Sequence, residues 1–339
     1  MAARRKNRIG RKVWGLMVML ATATLNAAAA GYESSADGKA FIGEMTDRYG
    51  FEASRVTALL ASATRQDAIL EAISRPAEKS LEWHQYRKIF IRPERLAQGR
   101  KFLAEYREAF ARAEAEYGVP ANIVAAIIGV ETWYGNYTGK YRVLDALATL
   151  AFDYPPRSRF FRSELVQYLL LTREQGLDPE SLKGSYAGAM GYGQFISSSY
   201  RNYAVDFDGD GRVDILNSPV DAIGSVANYF HRHDWRSGEP VAERIEDRLP
   251  ETSPLLGGEL RPRLTVRAYR DAGIAPGAAV QPDDPARAVR VSGEQGPELW
   301  LTYHNFYVIT RYNHSHLYAM AVHELARLLD SSAELPGES

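Results

Sequence analysis

Ala121-Asn122-Ile123-Val124-Ala125-Ala126-Ile127-Ile128-Gly129-Val130-Glu131-Thr132 is apolar almost all the way round a helical wheel, so it reads as a helix buried on every side. The preceding Tyr117-Gly118-Val119-Pro120 punctuates the chain, and Pro120 is placed to open the helix. A helix buried on all sides needs other helices packed around it, and the flanking sequence supplies them. Before it, from about Gly31 to Gly118, apolar residues recur at three and four, as in Val56, Leu59, Leu60 and in Leu103, Tyr106, Phe110. After it, further helices read across Val143–Phe152, Ser158–Glu174, Ser197–Val205 and Pro219–His231. Between Gly238 and Trp300 the texture changes to Pro, Gly and short alternating runs, Leu264-Thr265-Val266-Arg267 and Ala288-Val289-Arg290-Val291, which read as strands of a small β insertion. Helical periodicity returns from Tyr303 to Leu329. The fold class is therefore mainly α with a small β insertion.

The chain has 339 residues, 45% of them hydrophobic and 24% charged, which is a folded globular composition and excludes disorder. It has no cysteine, so disulfides, thiolate metal sites and cysteine nucleophiles are excluded. Arg4, Arg5, Lys6, Arg8, Arg11 and Lys12 precede an apolar stretch from Val13 to Leu25 and the run Ala27 to Ala30, the pattern of a cleaved secretory signal over residues 1–30. Thirteen residues are short for a bilayer core, so no stable membrane anchor is expected and the mature chain should be soluble and exported. Setting aside those six of the 41 basic residues leaves 35 against 42 acids, a charge of −7, which speaks against nucleic acid or an anionic membrane as partner.

Four features carry chemistry. Glu131 ends the apolar helix beside Trp133 and Tyr134. Desolvation and the negative helix end both favour its neutral form, as a general acid needs. The plainer reading is a carboxylate that reaches solvent or pairs with a cation such as Arg142. The stretch from Gly184 to Phe195 has four glycines in ten residues, letting the backbone approach a ligand, with Ser185, Tyr192 and Gln194 as polar contacts. Its spacing is not that of a phosphate loop, and a tight packing loop is the alternative. Asp206, Asp208, Asp210, the carbonyl of Arg212 and Asp214 fall at positions one, three, five, seven and nine of an EF-hand calcium loop with Gly211 at six. Position twelve is Asn217, and the next acid is Asp221, which also sits where Ser218 and Pro219 would open a capped helix. Finally, Arg311-Tyr312-Asn313-His314-Ser315-His316-Leu317-Tyr318 suits recognition of hydroxyl and amide groups and lacks zinc spacing.

Taken in order, Val130-Glu131-Thr132-Trp133-Tyr134-Gly135, the glycine stretch, the acidic loop and Arg311-Tyr312-Asn313-His314-Ser315 closely resemble the lytic murein transglycosylase B family, from about Phe41 to about Ala326. The resemblance implies a goose-lysozyme-like catalytic core with a helical N-terminal part. It also implies cleavage of the β-1,4 bond between N-acetylmuramic acid and N-acetylglucosamine in peptidoglycan, leaving 1,6-anhydromuramyl ends. By position, Glu131 would be the sole acid and base. Ser185, Gln194, Tyr86, Tyr312, Asn313 and Tyr318 would line the cleft, while Asp221 would complete a structural calcium site. Family members carry two adjacent arginines toward the peptide stem; here Pro156-Arg157 leaves Arg157 alone. The implied organisation is an N-terminal helical region over 31–85, a core with the calcium loop over 86–237, a β domain over 238–300, a C-terminal helix over 301–332 and a tail over 333–339. The implied partners are peptidoglycan glycan strands and cell-wall synthesis proteins, in the periplasm, with no organic cofactor. Asp145 and Asp153, the nearby acids, are expected to be structural. Two other readings fit the same residues, a muramidase hydrolase and a non-catalytic peptidoglycan-binding protein.

Overall fold

The computed structural model describes residues 31–74, 81–277 and 280–330. The expected signal segment and tail lie outside them. The helical part begins with α1 (Ala36–Tyr49), α2 (Ala53–Ser62), α3 (Asp67–Ile73) and α4 (Trp83–Phe90), followed by α5 (Pro93–Glu105) and α6 (Arg107–Tyr117). The apolar stretch forms α7 (Ala121–Thr132), with every residue from Ile123 to Val130 buried. It packs against α5, α6, α11 (Pro219–Arg232) and α14 (His316–Leu329), so the all-round apolar pattern is met by neighbours on each side. Strand β1 (Tyr141–Arg142) leads into α8 (Val143–Asp153) and α9 (Ser158–Glu174); β2 (Lys183–Gly184) pairs antiparallel with β1 and delivers the glycine stretch, and α10 (Ser197–Tyr203) follows. No helix among the described residues is long and apolar enough to cross a membrane.

The β insertion is a four-stranded antiparallel sheet of β3 (Ala242–Ile245), β4 (Leu264–Thr265), β5 (Pro285–Gly293) and β6 (Gly296–Thr302), in the order β3-β6-β5-β4. It has a small core of its own around Val266, Tyr269, Ala288, Leu299 and Leu301. Four sequence expectations are corrected. Of the run Leu264 to Arg267, only Leu264 and Thr265 are strand; Val266 opens α12 (Val266–Asp271), because Val266 and Tyr269, three apart, both bury in that core. The sheet runs to Thr302, past the expected limit of 300, and a boundary at 85 falls inside α4. The single expected C-terminal helix is two, α13 (His304–Tyr312) and α14, broken at Asn313 to Ser315, where Ser315 caps α14 by accepting from the Tyr318 N–H.

Two features set the geometry of the site. Arg87 on α4 forms a two-pronged ion pair with Glu324 on α14, at 2.8 and 2.6 Å, which fixes the register of the two helices carrying Tyr86 and Tyr318. Asp145 accepts from Arg142 at 2.6 Å and from the Thr64 N–H, while Asp153 accepts from Tyr32 and Arg65. Both carboxylates of α8 thus fasten the N-terminal helices to the core, as the sequence reading expects of them. Arg142, spent on Asp145 and on the Ser62 carbonyl, is the partner of those groups.

Candidate active site

Glu131 stands in the last turn of α7, half-buried where the helix reaches the surface. The chain then turns through three successive residues of positive φ, Trp133 at 52°, Tyr134 at 56° and Gly135 at 89°. For the two non-glycine residues this costs on the order of 1–2 kcal/mol each, strain of a kind that collects at functional sites. Packing holds the turn in place. The Tyr134 ring folds back over α7 so closely that a Cβ on Gly129 would come within 2.6 Å of its hydroxyl, which explains a glycine inside an otherwise ideal buried helix. Thr132 fastens the turn to the glycine loop, donating to the Tyr192 carbonyl at 2.8 Å and accepting from the Gly135 N–H. Sequence reading missed Thr132 and the left-handed pair; the glycine at 129 was the available sign of a close approach.

One phenol bonds to the carboxyl and a second stands near it. Tyr318, only 2% exposed, donates its hydroxyl to Glu131 Oε1 at 2.6 Å. Tyr312 donates to the Gly193 carbonyl at 2.5 Å and stacks on Phe230. Burial first, and then the charge of Glu131, push both phenols well above the usual tyrosine range, so both remain protonated donors. Tyr86 lies close to Tyr318, which joins α4 to the group. The break between α13 and α14 brings Tyr312 and Tyr318 to one carboxyl, although they are six residues apart.

The glycine stretch is both a packing loop and the floor of the site. Met190 and Phe195 exchange backbone hydrogen bonds across its neck, and Ser185 Oγ accepts from the N–H groups of Ala187 and Ala189. Gln194, at φ 49°, donates its amide to the carbonyls of Thr138 and Gly191. These side chains hold the loop; the Ser185 hydroxyl proton stays available to a ligand, because a hydroxyl both donates and accepts. Gly193 admits the Tyr312 hydroxyl, which a Cβ there would meet at 2.8 Å. Tyr192 lies against Gly135 and faces Phe102, Tyr106 and Tyr134, a group apart from Tyr312 and Tyr318. Asn313 ends α13, half-buried, next to Tyr312. Arg157 is exposed, stacked on Phe160 at 4.4 Å, and contributes with Arg311 to holding the His314 imidazole below its usual range, after burial. It stands at the lip of the site with His314.

The acidic loop is a separate centre. Carboxylate oxygens of Asp206, Asp208 and Asp210 converge within 4.8 Å of one another. Their other contacts are turn hydrogen bonds, such as Asp206 accepting from Gly209 and Gly211 and Asp210 from Arg212. Asp214 accepts from Leu216 and Asn217. Asp221 is 1% exposed and accepts three backbone N–H bonds, from Phe207, Asp208 and Asp214. Of the capping pattern read at this point, the Ser218 half forms, accepting from the Asp221 N–H, while the Asp221 carboxylate turns to the loop.

With this geometry established, comparison with known proteins is specific. A profile of the transglycosylase SLT domain matches residues 34–327. The membrane-bound lytic murein transglycosylase B of Escherichia coli is 41% identical over 305 residues, spanning 87% of this chain and 83% of that protein. Among solved structures, the chain is similar to the catenated lytic transglycosylase SltB1 of Pseudomonas aeruginosa, at 49% identity and a TM-score of 0.84, covering 88% of this chain and 98% of that one. It is also similar to an Escherichia coli lytic transglycosylase in complex with calcium, at 41% identity and a TM-score of 0.81, covering 88% and 94% of the two chains.

Proposed function

The chain belongs to the transglycosylase SLT domain family as a lytic murein transglycosylase of the B type, and from that membership we propose that Glu131 is the one carboxyl group with which it works. The enzyme cleaves the β-1,4 bond between N-acetylmuramic acid and N-acetylglucosamine in peptidoglycan and leaves a 1,6-anhydromuramyl end. The observation that supports Glu131 is its place at the end of a buried apolar helix, 2.6 Å from a buried phenol that donates to it.

The chemistry follows from that setting. Apolar surroundings and the helix C-terminus favour the neutral carboxyl, which protonates the glycosidic oxygen as positive charge develops on the sugar. Once Glu131 is a carboxylate, the Tyr318 hydroxyl stabilises it by a charge-assisted hydrogen bond. It then takes the proton from the sugar's own 6-hydroxyl, which closes on the anomeric carbon. The substrate's acetamide can support the intermediate, so no second carboxylate is needed. Asp145 and Asp153, committed to Arg142 and Arg65, are scaffold. Asp145→Asn and Asp153→Asn should each lower stability and lower kcat by less than about tenfold, because loss of a true acid or base costs about 10²–10⁴-fold. A drop of that larger size with the melting temperature unchanged would make one of them a second catalytic carboxylate and favour the hydrolase reading.

The donor set of the acidic loop fits calcium: clustered hard oxygen ligands from Asp206, Asp208 and Asp210, with the carbonyl of Arg212, Asp214 and Asp221 in reach of the same loop. The hydrogen-bonded oxygens of Asp221 keep lone pairs for a cation. The ion would neutralise the repelling carboxylates and stiffen the loop ahead of α11, a structural role. Export to the periplasm on the leader at 1–30, and contacts with cell-wall synthesis proteins, complete the reading.

A further inference from the structure

The aromatic group beside Glu131 continues past Tyr86 in a row of rings bridged by one guanidinium. The Tyr86 ring stands 5.1 Å from Phe90. The Arg95 guanidinium lies 5.2 Å from the centre of Phe90 and 4.5 Å from that of Trp133. Trp133 meets Tyr137 edge-on at 6.2 Å. Exposure rises along the row: Tyr86 is buried, Phe90 and Trp133 are half-buried, and Tyr137 is 70% exposed, the most exposed large apolar side chain among the described residues.

Arg95 makes the row more than ordinary surface. It is only 7% exposed, and its Nε and Nη1 are buried without a hydrogen-bond partner. Burying a guanidinium this way is costly, and here two ring faces are the compensation. The reaction at Glu131 makes no use of it. What Arg95 does is hold Phe90 and Trp133 apart at a fixed spacing and orient the strained Trp133. A row of fixed amphipathic rings starting at the cleavage site matches the apolar faces of successive pyranoses.

We propose that Phe90, Trp133 and Tyr137, held in place by the buried Arg95, form a glycan track that holds the sugar chain as it leaves Glu131, binding N-acetylated pyranoses by their apolar faces. The proposal rests on the reading of Glu131 as the point of cleavage. Tyr137 is the residue to change, since its exposure leaves the fold intact, as an unchanged melting temperature would verify. With peptide-free glycan strands of increasing length, Tyr137→Ala should raise KM by about three- to tenfold on long strands, with the effect growing with length and kcat little altered. Tyr137→Phe, which keeps the ring face, should restore most of the loss. The same variants in calorimetric titration with chitooligosaccharides should show the matching loss of affinity. Unchanged KM and affinity at every length overturn the track. A loss seen only with peptide-bearing strands also overturns it and assigns the row to the stem peptide. Failure of the Glu131 reading would register elsewhere, as an active Glu131→Gln enzyme, and would leave the affinity result standing.

Discussion

Replacing Glu131 with Gln should lower kcat for release of anhydromuropeptides by about 10²–10⁴-fold while leaving strand binding and the melting temperature near those of the wild type. The amide has the size and shape of the carboxyl, and its oxygen can still accept from the Tyr318 hydroxyl now 2.6 Å from Glu131 Oε1. What it lacks is a proton that can be given and taken back. Because one group serves both steps, no second residue can cover for it, and the loss should not recover at any pH. Near-normal lysis by the variant would mean that another group is the acid. Wild-type protein that binds walls and never lyses them would support the binding-protein reading instead.

The largest loss of stability should come from Asp221→Ala. The carboxylate accepts from the N–H groups of Phe207, Asp208 and Asp214 and is almost wholly buried, so its removal orphans three donors at once. At about 1–3 kcal/mol for each buried unsatisfied group, partly relieved by water at the loop, the cost is about 3–5 kcal/mol, or a melting temperature lower by on the order of 10 °C. Calcium adds a second effect. A ligand held only by the folded chain stabilises it by about 2.7 kcal/mol at a hundredfold excess over its Kd, so the wild type should melt higher in calcium than in chelator. In Asp221→Ala that difference should shrink sharply. A variant that melts like the wild type in both conditions would show that Asp221 neither anchors the loop nor serves the ion.

Much of this was legible before any coordinates. The span of α7 follows from its apolar run and the punctuation at Gly118 and Pro120, and that of α9 from its periodicity. The fold and family resemblance held over residues 34–327. The misreadings have physical causes. Four alternating residues at Leu264 could be a strand or the start of a helix, and only the small core that receives Val266 and Tyr269 decides between them. The break between α13 and α14 is signalled by Asn313 and the capping Ser315, but the polar run around them reads equally as a helix start. The left-handed turn at Trp133 and Tyr134 has no sequence mark of its own, because aromatic residues normally avoid that conformation; tertiary packing over Gly129 imposes it. In the glycine loop, Ser185 and Gln194 could be assigned to a ligand from sequence, whereas the structure has them bracing backbone as well.

The proposed mechanism rests on one carboxyl group, that of Glu131, and on attack by the sugar's own 6-hydroxyl in place of water. Digesting peptide-free glycan strands in heavy-oxygen water and weighing the new ends by mass spectrometry tests this most directly. The proposed chemistry gives muramic ends that have lost water and carry no heavy oxygen, since the sugar's own 6-hydroxyl attacks. Reducing muramic ends carrying the heavy label would mean that a second group activates water, and the single-carboxyl account would be wrong.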